Sequence, residues 1–562
     1  MLRRGISGIA AVAAMLATLS THVAHAEGLL GPGTVDRVLV ISIDGMHAVD
    51  FANCAKGVSP IDGGTPYCPH MAALAQRGVT YQQAITSRPS DSFPGLTAIV
   101  TGGSPRSTGA FYDVSYDRSL SPPAKTTPYG IVGGANLCPS VVGTQVGLDE
   151  EIDIDLTKID AGGGIDPGYL PRDPKNHCAP VYPHSFIRVN TLFEVVKAAG
   201  GYTAWSDKHQ SYELVKGRSG LGVDDFYAPE INSIPVALPQ VTLTACNPLP
   251  DQTAVASSNA WTDSFANIRC YDSLKVQAIL SEINGRRHDG LVSAPVPTVF
   301  GMNFQAVSVG QKLVEPARGL TGGYTDPYGV PTAPLLDEIK FVDHSIGLMV
   351  EALRSRGLLD RTLIIISAKH GQSPTDPKRV LRIPADNASL TAPSSILSPH
   401  GIGPGFPVVQ ALEDDVSLIW LSENNLTQTA GNVALLEAHA TEVGAGGGQI
   451  YAGPTLNLLF NDPAVDPRTP NIIVTPNVGV VYTDGKKKLA EHGGFAHDDT
   501  NVMLLVSTPN IHEARTVTSF VETSQVAPTI LELLGLDPTS LDAVKIEGTP
   551  VLPSLFIDGD HD

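Results

Sequence analysis

The chain has 562 residues, of which 42% are hydrophobic and 17% are charged. This composition supplies enough apolar material for a large buried core and too little charge for a disordered chain. The 57 acidic residues outnumber the 37 basic ones and give a formal net charge of -20, which argues against nonspecific binding to nucleic acid.

Residues 1–26 have the features of a secretory signal peptide. Two arginines precede an apolar run over about residues 6–19, and Ala-His-Ala at residues 24–26 forms a small-x-small cleavage site. The run is shorter than the ~20 residues that a membrane span needs, although a retained anchor is the alternative. We expect a secreted or periplasmic protein whose mature chain, 27–562, has no membrane span.

The six cysteines all lie in the mature chain, an even count that suits three disulfides in an oxidising compartment. No Cys-x-x-Cys motif occurs, so a cysteine zinc site or a redox motif has little support. Sequential pairing is favoured because two of the pairs bracket short Gly/Pro-rich or polar stretches. The predicted pairs are Cys54 with Cys68, Cys138 with Cys178, and Cys246 with Cys270.

Short β-branched runs alternate with helical patterns along most of the mature chain. This alternation predicts an α/β fold with a doubly wound, mainly parallel sheet covered by helices. The predicted strands are Val38–Ile43, Tyr202–Ser206, Thr298–Phe304, Thr362–Ser367, Val416–Leu421 and Val502–Val506. The predicted helices lie near Pro69–Arg77, Thr191–Ala199, Tyr271–Ile283, Leu335–Arg356, Val433–Val443 and Gln525–Leu534.

Three irregular stretches, near residues 119–183, 373–415 and 444–484, interrupt this alternation. The first is rich in Gly, Pro and Asp and carries Cys138 and Cys178. Each stretch leaves the core and returns to a strand, so we interpret them as insertions that form a cap on a single domain.

Functional groups in an open α/β sheet gather at the carboxyl ends of the strands, and polar clusters occupy such positions here. Asp44 directly follows the first predicted strand, where a turn or helix cap is the alternative role. Ser92 opens an apolar helix whose dipole and free N–H groups would favour an alkoxide and could receive a phosphate. A plain N-cap serine is the alternative at this position.

Two further clusters contain histidine. Lys369-His370-Gly371 follows the strand at 362–367 and places an imidazole where metal or phosphate could bind. Glu491-His492 opens a glycine-rich turn before the strand at 502–506. A solvated loop would explain the charges of this turn, but it explains the glycine pair beside His492 less readily.

Polar side chains also end two other predicted strands. Asp207 and His209 follow the strand at 202–206 and could line a substrate pocket, although a loop of mixed charge is the commoner explanation. Asn303 and Gln305 end the strand at 298–304, where they could bind a phosphate oxygen or a water.

Together these clusters resemble the alkaline phosphatase superfamily, and within it the type I phosphodiesterase/nucleotide pyrophosphatase branch. The resemblance runs in order through SIDGM, SFPGLTAIVTGGSPRSTGAFYD, DHSIGLMVEALRSRGLLDRTLIIISAKHG, EHGGFAHDDTNVMLLVS and SQVAPTILELLGL. It implies an alkaline phosphatase type of fold and a phosphate-transferring site. In that site Ser92 would be the nucleophile, and Asp44, His370 and His492 would be metal ligands.

Three positions depart from the family pattern. Gln305 and Val309 stand where the family has an Asp and a His ligand, and Lys369 stands where it has an Asp. Because an ammonium cannot ligate a cation, we predict at most one divalent ion per chain, zinc by the resemblance, with metal-free operation as the other option. Lys369 would then supply catalytic charge beside Ser92. Alternatively, Lys369 pairs with Asp44 and the site is catalytically dead.

The sequence therefore predicts a hydrolase of small-molecule phosphoesters, with phosphodiesters or nucleotide pyrophosphates preferred, and with no nucleic-acid partner. A phosphonate, phosphomonoester or sulfate ester hydrolase is the alternative enzyme. A secreted binding protein with a degenerate metal site is the alternative without catalysis.

Overall fold

The computed structural model describes residues 30–233, 261–384, 391–397, 408–446, 448–483, 485 and 488–556. The predicted signal peptide and Cys246 lie outside these residues. Runs of aliphatic and β-branched residues form the strands. The strands are β1 (Arg37–Ile43), β2 (Gly78–Ile85), β3 (Val114–Asp117), β4 (Thr144–Gly147), β5 (Arg172–Asp173), β6 (Ala179–Pro180), β7 (Ala204–Ser206), β8 (Asp225–Tyr227), β9 (Val299–Phe304), β10 (Val314–Glu315), β11 (Leu320–Thr321), β12 (Thr362–Ser367), β13 (Leu381–Ile383), β14 (Val408–Glu413), β15 (Ser417–Leu421), β16 (Gln449–Ala452), β17 (Ile472–Thr475), β18 (Val480–Tyr482), β19 (Leu505–Ser507) and β20 (Arg515–Glu522).

The helices alternate with these strands. They are α1 (Ala48–Lys56), α2 (Pro69–Ala75), α3 (Ser92–Thr101), α4 (Pro105–Thr108), α5 (Pro183–Phe186), α6 (Leu192–Ala198), α7 (Phe265–Ile283), α8 (Ala306–Lys312), α9 (Ala333–Ser355), α10 (Pro393–Leu397), α11 (Leu426–Ala438), α12 (Gly453–Asn457), α13 (His497–Thr500), α14 (Val526–Leu533) and α15 (Asp542–Glu547).

A central eight-stranded sheet has the order β20-β2-β19-β12-β1-β9-β7-β8. β1 pairs in parallel with β12 and with β9, so that Val38 lies opposite both Leu363 and Val299. Only β19 runs against its two neighbours, β12 and β2, within this sheet. The sheet is therefore mainly parallel, as the sequence predicts.

Successive residues of β1 pack into two different hydrophobic cores, because side chains alternate between the two faces of a sheet and helices cover both faces. Val38 and Val40 pack in a core on the face that carries α3, α6 and α14. Leu39 and Ile41 pack in a second core on the face that carries α1, α2, α7 and α9. This arrangement confirms the doubly wound α/β prediction.

The strand predicted at 416–421 does not join the central sheet. The structure places β15 in a separate four-stranded antiparallel sheet of order β14-β15-β17-β16. Leu418 and Trp420 pack into one core and Ile419 and Leu421 into another. Because β15 is buried on both faces, its continuous apolar run is indistinguishable from that of a central parallel strand.

Other boundaries differ from the sequence prediction in detail. The predicted helix at 433–443 begins earlier, at Leu426, because the Asn425 side chain accepts hydrogen bonds from the amides of Thr427 and Gln428. β2 and β20 are not among the predicted strands, because both mix buried and exposed residues without a strongly apolar run. Within the described residues, no helix has the length and apolar character needed to cross a membrane.

Two predicted disulfides are present, Cys54–Cys68 and Cys138–Cys178. Cys270 is also disulfide-bonded, and its predicted partner lies outside the described residues. The second bridge ties the irregular segment that follows β3, as predicted for the first insertion.

Candidate active site

The carboxyl ends of four parallel strands, together with the N-terminus of α3, bring the candidate residues to one edge of the central sheet. Asp44 follows β1, Lys208 lies two residues beyond β7, Asn303 lies near the end of β9, and His370 follows β12. Neighbouring parallel strands end at the same edge. Side chains separated by hundreds of residues in the sequence therefore meet at Ser92, the first residue of α3.

Three chemically different groups converge on the Ser92 hydroxyl. The Lys208 ammonium donates to Ser92 Oγ at 2.9 Å. His370 Nε2 lies 3.1 Å and Asp44 Oδ2 lies 3.3 Å from the same oxygen. Ser92 is only 1% exposed, so a cation, an imidazole and a carboxylate contact its hydroxyl away from bulk water.

The orientation of His370 suits it to accept the hydroxyl proton. Its Nδ1 lies 2.7 Å from the Gly371 carbonyl oxygen, which can only accept a hydrogen bond, so we assign the proton to Nδ1. In the neutral imidazole Nε2 then carries the lone pair that faces Ser92. The same nitrogen lies 3.5 Å from Asp44 Oδ2, and this tautomer is the one that a general base beside a serine hydroxyl requires.

Close backbone packing fixes α3 against the strand end that bears His370. The Asp91 side chain caps the helix by accepting from the Phe93 amide at 2.9 Å. One turn later, a Cβ on Gly95 would lie 2.0 Å from the Lys369 carbonyl oxygen. That carbonyl also accepts from Thr86 Oγ1 at 2.5 Å. Only glycine permits this approach, which sets the distance between Ser92 and His370.

Amide groups surround the Asp44 carboxylate. Asn303 Nδ2 donates to Oδ1 at 2.7 Å and Gln305 Nε2 donates to Oδ2 at 2.6 Å. Burial raises the pKa of Asp44, but Lys369, His370 and Lys208 lower it, and the net value is well below the ordinary range. Asp44 is therefore an ionised carboxylate. Asn303 and Gln305, predicted to bind substrate, hold this carboxylate instead.

Lys369 does not contact Ser92, which corrects the position predicted for its charge. Its ammonium donates to Asp207 Oδ1 at 2.7 Å and lies 4.0 Å above the Tyr212 ring. The predicted alternative, a pair with Asp44, is not formed either. The fully buried Asp207 carboxylate attracts the lysine because an unpaired charge there would be costly.

Lys208 is the cation that contacts Ser92, and the sequence analysis did not single it out. Its ammonium contacts Ser92 and lies 3.7 Å from Asp44 Oδ2. Burial lowers the pKa of Lys208, but Asp44, Asp91 and Asp113 outweigh this effect and raise it. The available signal was its place between Asp207 and His209, two residues that were singled out at the end of the same strand.

His209 faces a carboxylate of its own. Its Nδ1 lies 2.8 Å from Glu230 Oε1, and its ring stacks on Tyr212 with centroids 6.0 Å apart. The structure thus places both Asp207 and His209 beside the site, with each engaged by another side chain.

His492 lies against His370, with ring centroids 3.9 Å apart. Burial and the neighbouring His370 lower the pKa of His492 well below its ordinary value, so its imidazole is neutral. Its Nδ1, like Asp91 Oδ1 and the Tyr212 hydroxyl, is buried without a hydrogen-bond partner among the described residues. His492 Nδ1 and Asp91 Oδ1 lie 3.6 Å from each other, and such unpaired groups beside Ser92 are placed to bind a polar ligand or ordered water.

The donor set does not fit a two-metal centre. Both oxygens of Asp44 are occupied by amide donors, and Lys369 and Val309 provide no ligand. Among the residues that the structure describes, no group of three or more His, Cys, Asp or Glu side chains could hold a metal ion. Ammonium and amide groups stand where the family resemblance implies metal and its ligands.

Comparison with solved structures finds the same fold at low sequence identity. Murine ectonucleotide pyrophosphatase/phosphodiesterase 5 aligns with a TM-score of 0.51 and 13% identity over 89% of this chain and 96% of that chain. Its inactive variant in complex with AMP gives a TM-score of 0.51 and 13% identity over 90% and 96%. The human protein of the same name gives 0.49 and 13% over 89% and 95%.

Comparison with family models is more specific, although no curated protein sequence matches the chain. The model of type I phosphodiesterase/nucleotide pyrophosphatase matches residues 38–129 and 323–498. These two segments contain Asp44, Ser92, Lys369, His370 and His492. The fold, the order of the motifs and this match establish that the chain belongs to the type I phosphodiesterase/nucleotide pyrophosphatase family.

Proposed function

We propose that this protein is a phosphodiester hydrolase in which Ser92 is the nucleophile and lysine and amide groups replace the charge of bound metal. The observation that supports this most strongly is the convergence of Lys208, His370 and Asp44 on Ser92 Oγ. A serine that served only as a helix cap would not need a buried cation and an oriented imidazole at its hydroxyl.

The reaction follows from these contacts in two steps. Ser92 passes its proton to His370 Nε2 while Oγ forms a bond to phosphorus, and the bond from phosphorus to the leaving oxygen breaks. That oxygen keeps the electron pair and takes the proton from the imidazolium, which returns His370 to its neutral form. A water molecule then gives a proton to His370 and attacks the phosphorus of this seryl phosphodiester, the bond from phosphorus to Oγ breaks, and Ser92 Oγ takes the proton back from the imidazolium. Lys208 offsets the negative charge that develops on Oγ and on the phosphoryl oxygens.

The charge of the site favours a diester over a monoester. The Lys208 ammonium contacts Ser92, whereas Lys369 is neutralised by Asp207. Lys208 itself faces Asp44 Oδ2 at 3.7 Å, so the site has little net positive charge, which suits the monoanion of a diester better than the dianion of a monoester. The name of the murine neighbour, and the AMP bound by its inactive variant, agree with an organic phosphate substrate.

We also propose that hydrolysis proceeds without a metal ion and that the protein acts outside the cytoplasm. The first proposal rests on the donor set, and the second on the disulfides Cys54–Cys68 and Cys138–Cys178. Elemental analysis should find less than two zinc ions per chain, and prolonged dialysis against a chelator should leave kcat/KM unchanged. Activity that is lost to the chelator and restored by zinc would overturn metal-free hydrolysis.

The nucleophile is tested with Ser92→Ala. Ser104→Ala is the control, because Ser104 is the N-cap residue of α4 and lies outside the site. Ser92→Ala should reduce turnover of a chromogenic diester by about 10³-fold or more, with the circular dichroism spectrum unchanged. Mass spectrometry of acid-quenched wild type should find the phosphoryl group, with the substituent that the diester retains, on the peptide that contains Ser92. Near wild-type turnover by Ser92→Ala would refute the assignment. Binding without turnover across diester, monoester, phosphonate and sulfate ester substrates would show a binding protein instead.

A further inference from the structure

The Asp207 carboxylate joins the ends of β7 and β12 at the edge of the sheet that carries the candidate active site. Asp207 is fully buried and accepts three hydrogen bonds. The Lys369 ammonium donates to Oδ1 at 2.7 Å, the Lys208 main-chain amide donates to Oδ1 at 2.9 Å, and the Trp205 indole donates to Oδ2 at 2.9 Å. One carboxylate therefore contacts both the ammonium of Lys369 and the main chain of the lysine that reaches Ser92.

The two lysine side chains lie over one aromatic ring. The Lys369 ammonium is 4.0 Å from the centroid of the Tyr212 ring, and the Lys208 ammonium is 5.9 Å from the same centroid. An aromatic face attracts either cation, and a lysine side chain is flexible along its four carbons. The place that the Lys369 ammonium occupies is therefore within reach of the Lys208 ammonium as well.

Each lysine faces a different buried carboxylate. Lys369 pairs with Asp207, whereas Lys208 lies 3.7 Å from Asp44 Oδ2 and 2.9 Å from Ser92 Oγ. Asp44 and Asp207 are both fully buried, and a buried carboxylate that loses its cation carries a large energetic cost. Removal of the Lys369 charge would therefore leave Asp207 to attract the Lys208 ammonium.

We infer that Lys369 is a positioning residue, which neutralises Asp207 and thereby keeps the Lys208 ammonium at Ser92 Oγ. This role also gives a reason for a lysine at a position where the family resemblance implies an aspartate. A carboxylate at that position would leave Asp207 without a cation. The inference rests on the proposed function, because it assumes that Ser92 is the nucleophile and that Lys208 stabilises the charge that develops there.

The test is a cycle of two substitutions, measured as the hydrolysis of a chromogenic diester. Lys369→Met removes the charge and should lower kcat/KM by about 10²-fold, as expected when a charge-stabilising donor leaves the nucleophile. Adding Asp207→Asn to Lys369→Met should restore kcat/KM to within about tenfold of wild type. The asparagine oxygen can still accept from the Lys208 amide, but an uncharged side chain no longer draws the Lys208 ammonium away from Ser92.

Lys369→Gln is a second variant for the case that Lys369→Met does not fold, as judged by circular dichroism. Its amide can still donate to Asp207, so the buried carboxylate keeps a hydrogen bond but loses its counter-charge. This variant should lose about tenfold or more in kcat/KM, and Asp207→Asn should again restore it. Lys197→Met is the control, because it breaks the ion pair of Lys197 with Asp224, which includes no residue of the candidate active site. It should leave kcat/KM unchanged.

The restoration separates positioning from other roles of Lys369. If its charge acted on the substrate directly, or if the ion pair only supported packing, removal of the Asp207 charge would not restore the rate. A double variant more than tenfold slower than wild type, or a Lys369→Met protein within threefold of wild type, would therefore overturn the inference and leave the hydrolase in place. A wild-type protein that hydrolyses none of the substrate classes would overturn the proposed function itself.

Discussion

Gly95→Ala tests whether the close contact between α3 and the end of β12 sets the catalytic geometry. A Cβ at this position would lie 2.0 Å from the Lys369 carbonyl oxygen, whereas ordinary contacts begin near 3.4 Å. The two segments must therefore separate by about 1 Å or more. Because both are main chain, no side-chain rotation can relieve the contact.

The separation acts directly on the hydrogen bond between Ser92 Oγ and His370 Nε2. That bond is 3.1 Å long, so an added ångström breaks it. A misplacement of this size costs about 10²-fold in catalysis, and we expect kcat/KM to fall by that factor. Overpacking costs about 1–3 kcal/mol of stability. The helix preference of alanine over glycine offsets about 0.5–1 kcal/mol of this, so the fold should survive.

The assay is the hydrolysis of a chromogenic diester, measured together with thermal unfolding by circular dichroism. Gly446→Ala provides the matched control, because a Cβ there meets nothing within 4 Å, and it should leave kcat/KM unchanged. A Gly95→Ala protein with kcat/KM within threefold of wild type would show that the helix contact does not set the position of Ser92.

Three further changes test other parts of the structure. Lys208→Met should lower kcat/KM by about 10²–10³-fold, as for the loss of a charge-stabilising donor, and an unchanged kcat/KM in steady-state assays would remove Lys208 from the mechanism. Burial lowers the pKa of His47, but Asp50 outweighs it and raises the value from 6.5 to about 9. The folded chain thus holds this proton more tightly than the unfolded chain does. The protonated His47 contributes about 3 kcal/mol to the free energy of unfolding below pH 6.5, and this contribution should be lost as the pH rises to about 9. Urea unfolding across this range should show the loss in wild type and not in His47→Asn. Asp272→Asn should lower the free energy of unfolding by about 3–5 kcal/mol, because it leaves the fully buried Lys275 ammonium without its partner at 3.0 Å; a change below 1 kcal/mol in urea would contradict this.

Much of the site could be predicted because its residues carry local signals. Asp44 and His370 each follow a strand whose apolar run is visible in the sequence, and Ser92 opens a helix with a proline in its first turn. These signals depend only on neighbouring residues. The structure brings all three together, as the order of the parallel strands requires.

The contacts of the lysines could not be predicted, because they depend on long-range packing. Asp207, Lys208 and His209 are adjacent in the sequence, yet their side chains contact Lys369, Ser92 and Glu230 respectively. The sequence shows three charged or polar residues in a loop, and it does not show which of them faces Ser92. For the same reason, the sequence did not show that the Lys369 ammonium pairs with Asp207 rather than lying at Ser92.

The position of β1 at the centre of the sheet affects how the chain must fold. Its residues are buried from Val38 onward, and its two neighbours are β9 and β12, at residues 299–304 and 362–367. A chain that emerges from its N-terminus therefore presents an apolar strand with both edges open until more than half of its length is available. Exposed strand edges of this kind pair readily with other chains. β12 pairs with the second edge of β1 and is followed by His370. Its formation therefore both completes the candidate active site and ends the exposure of β1 to other chains.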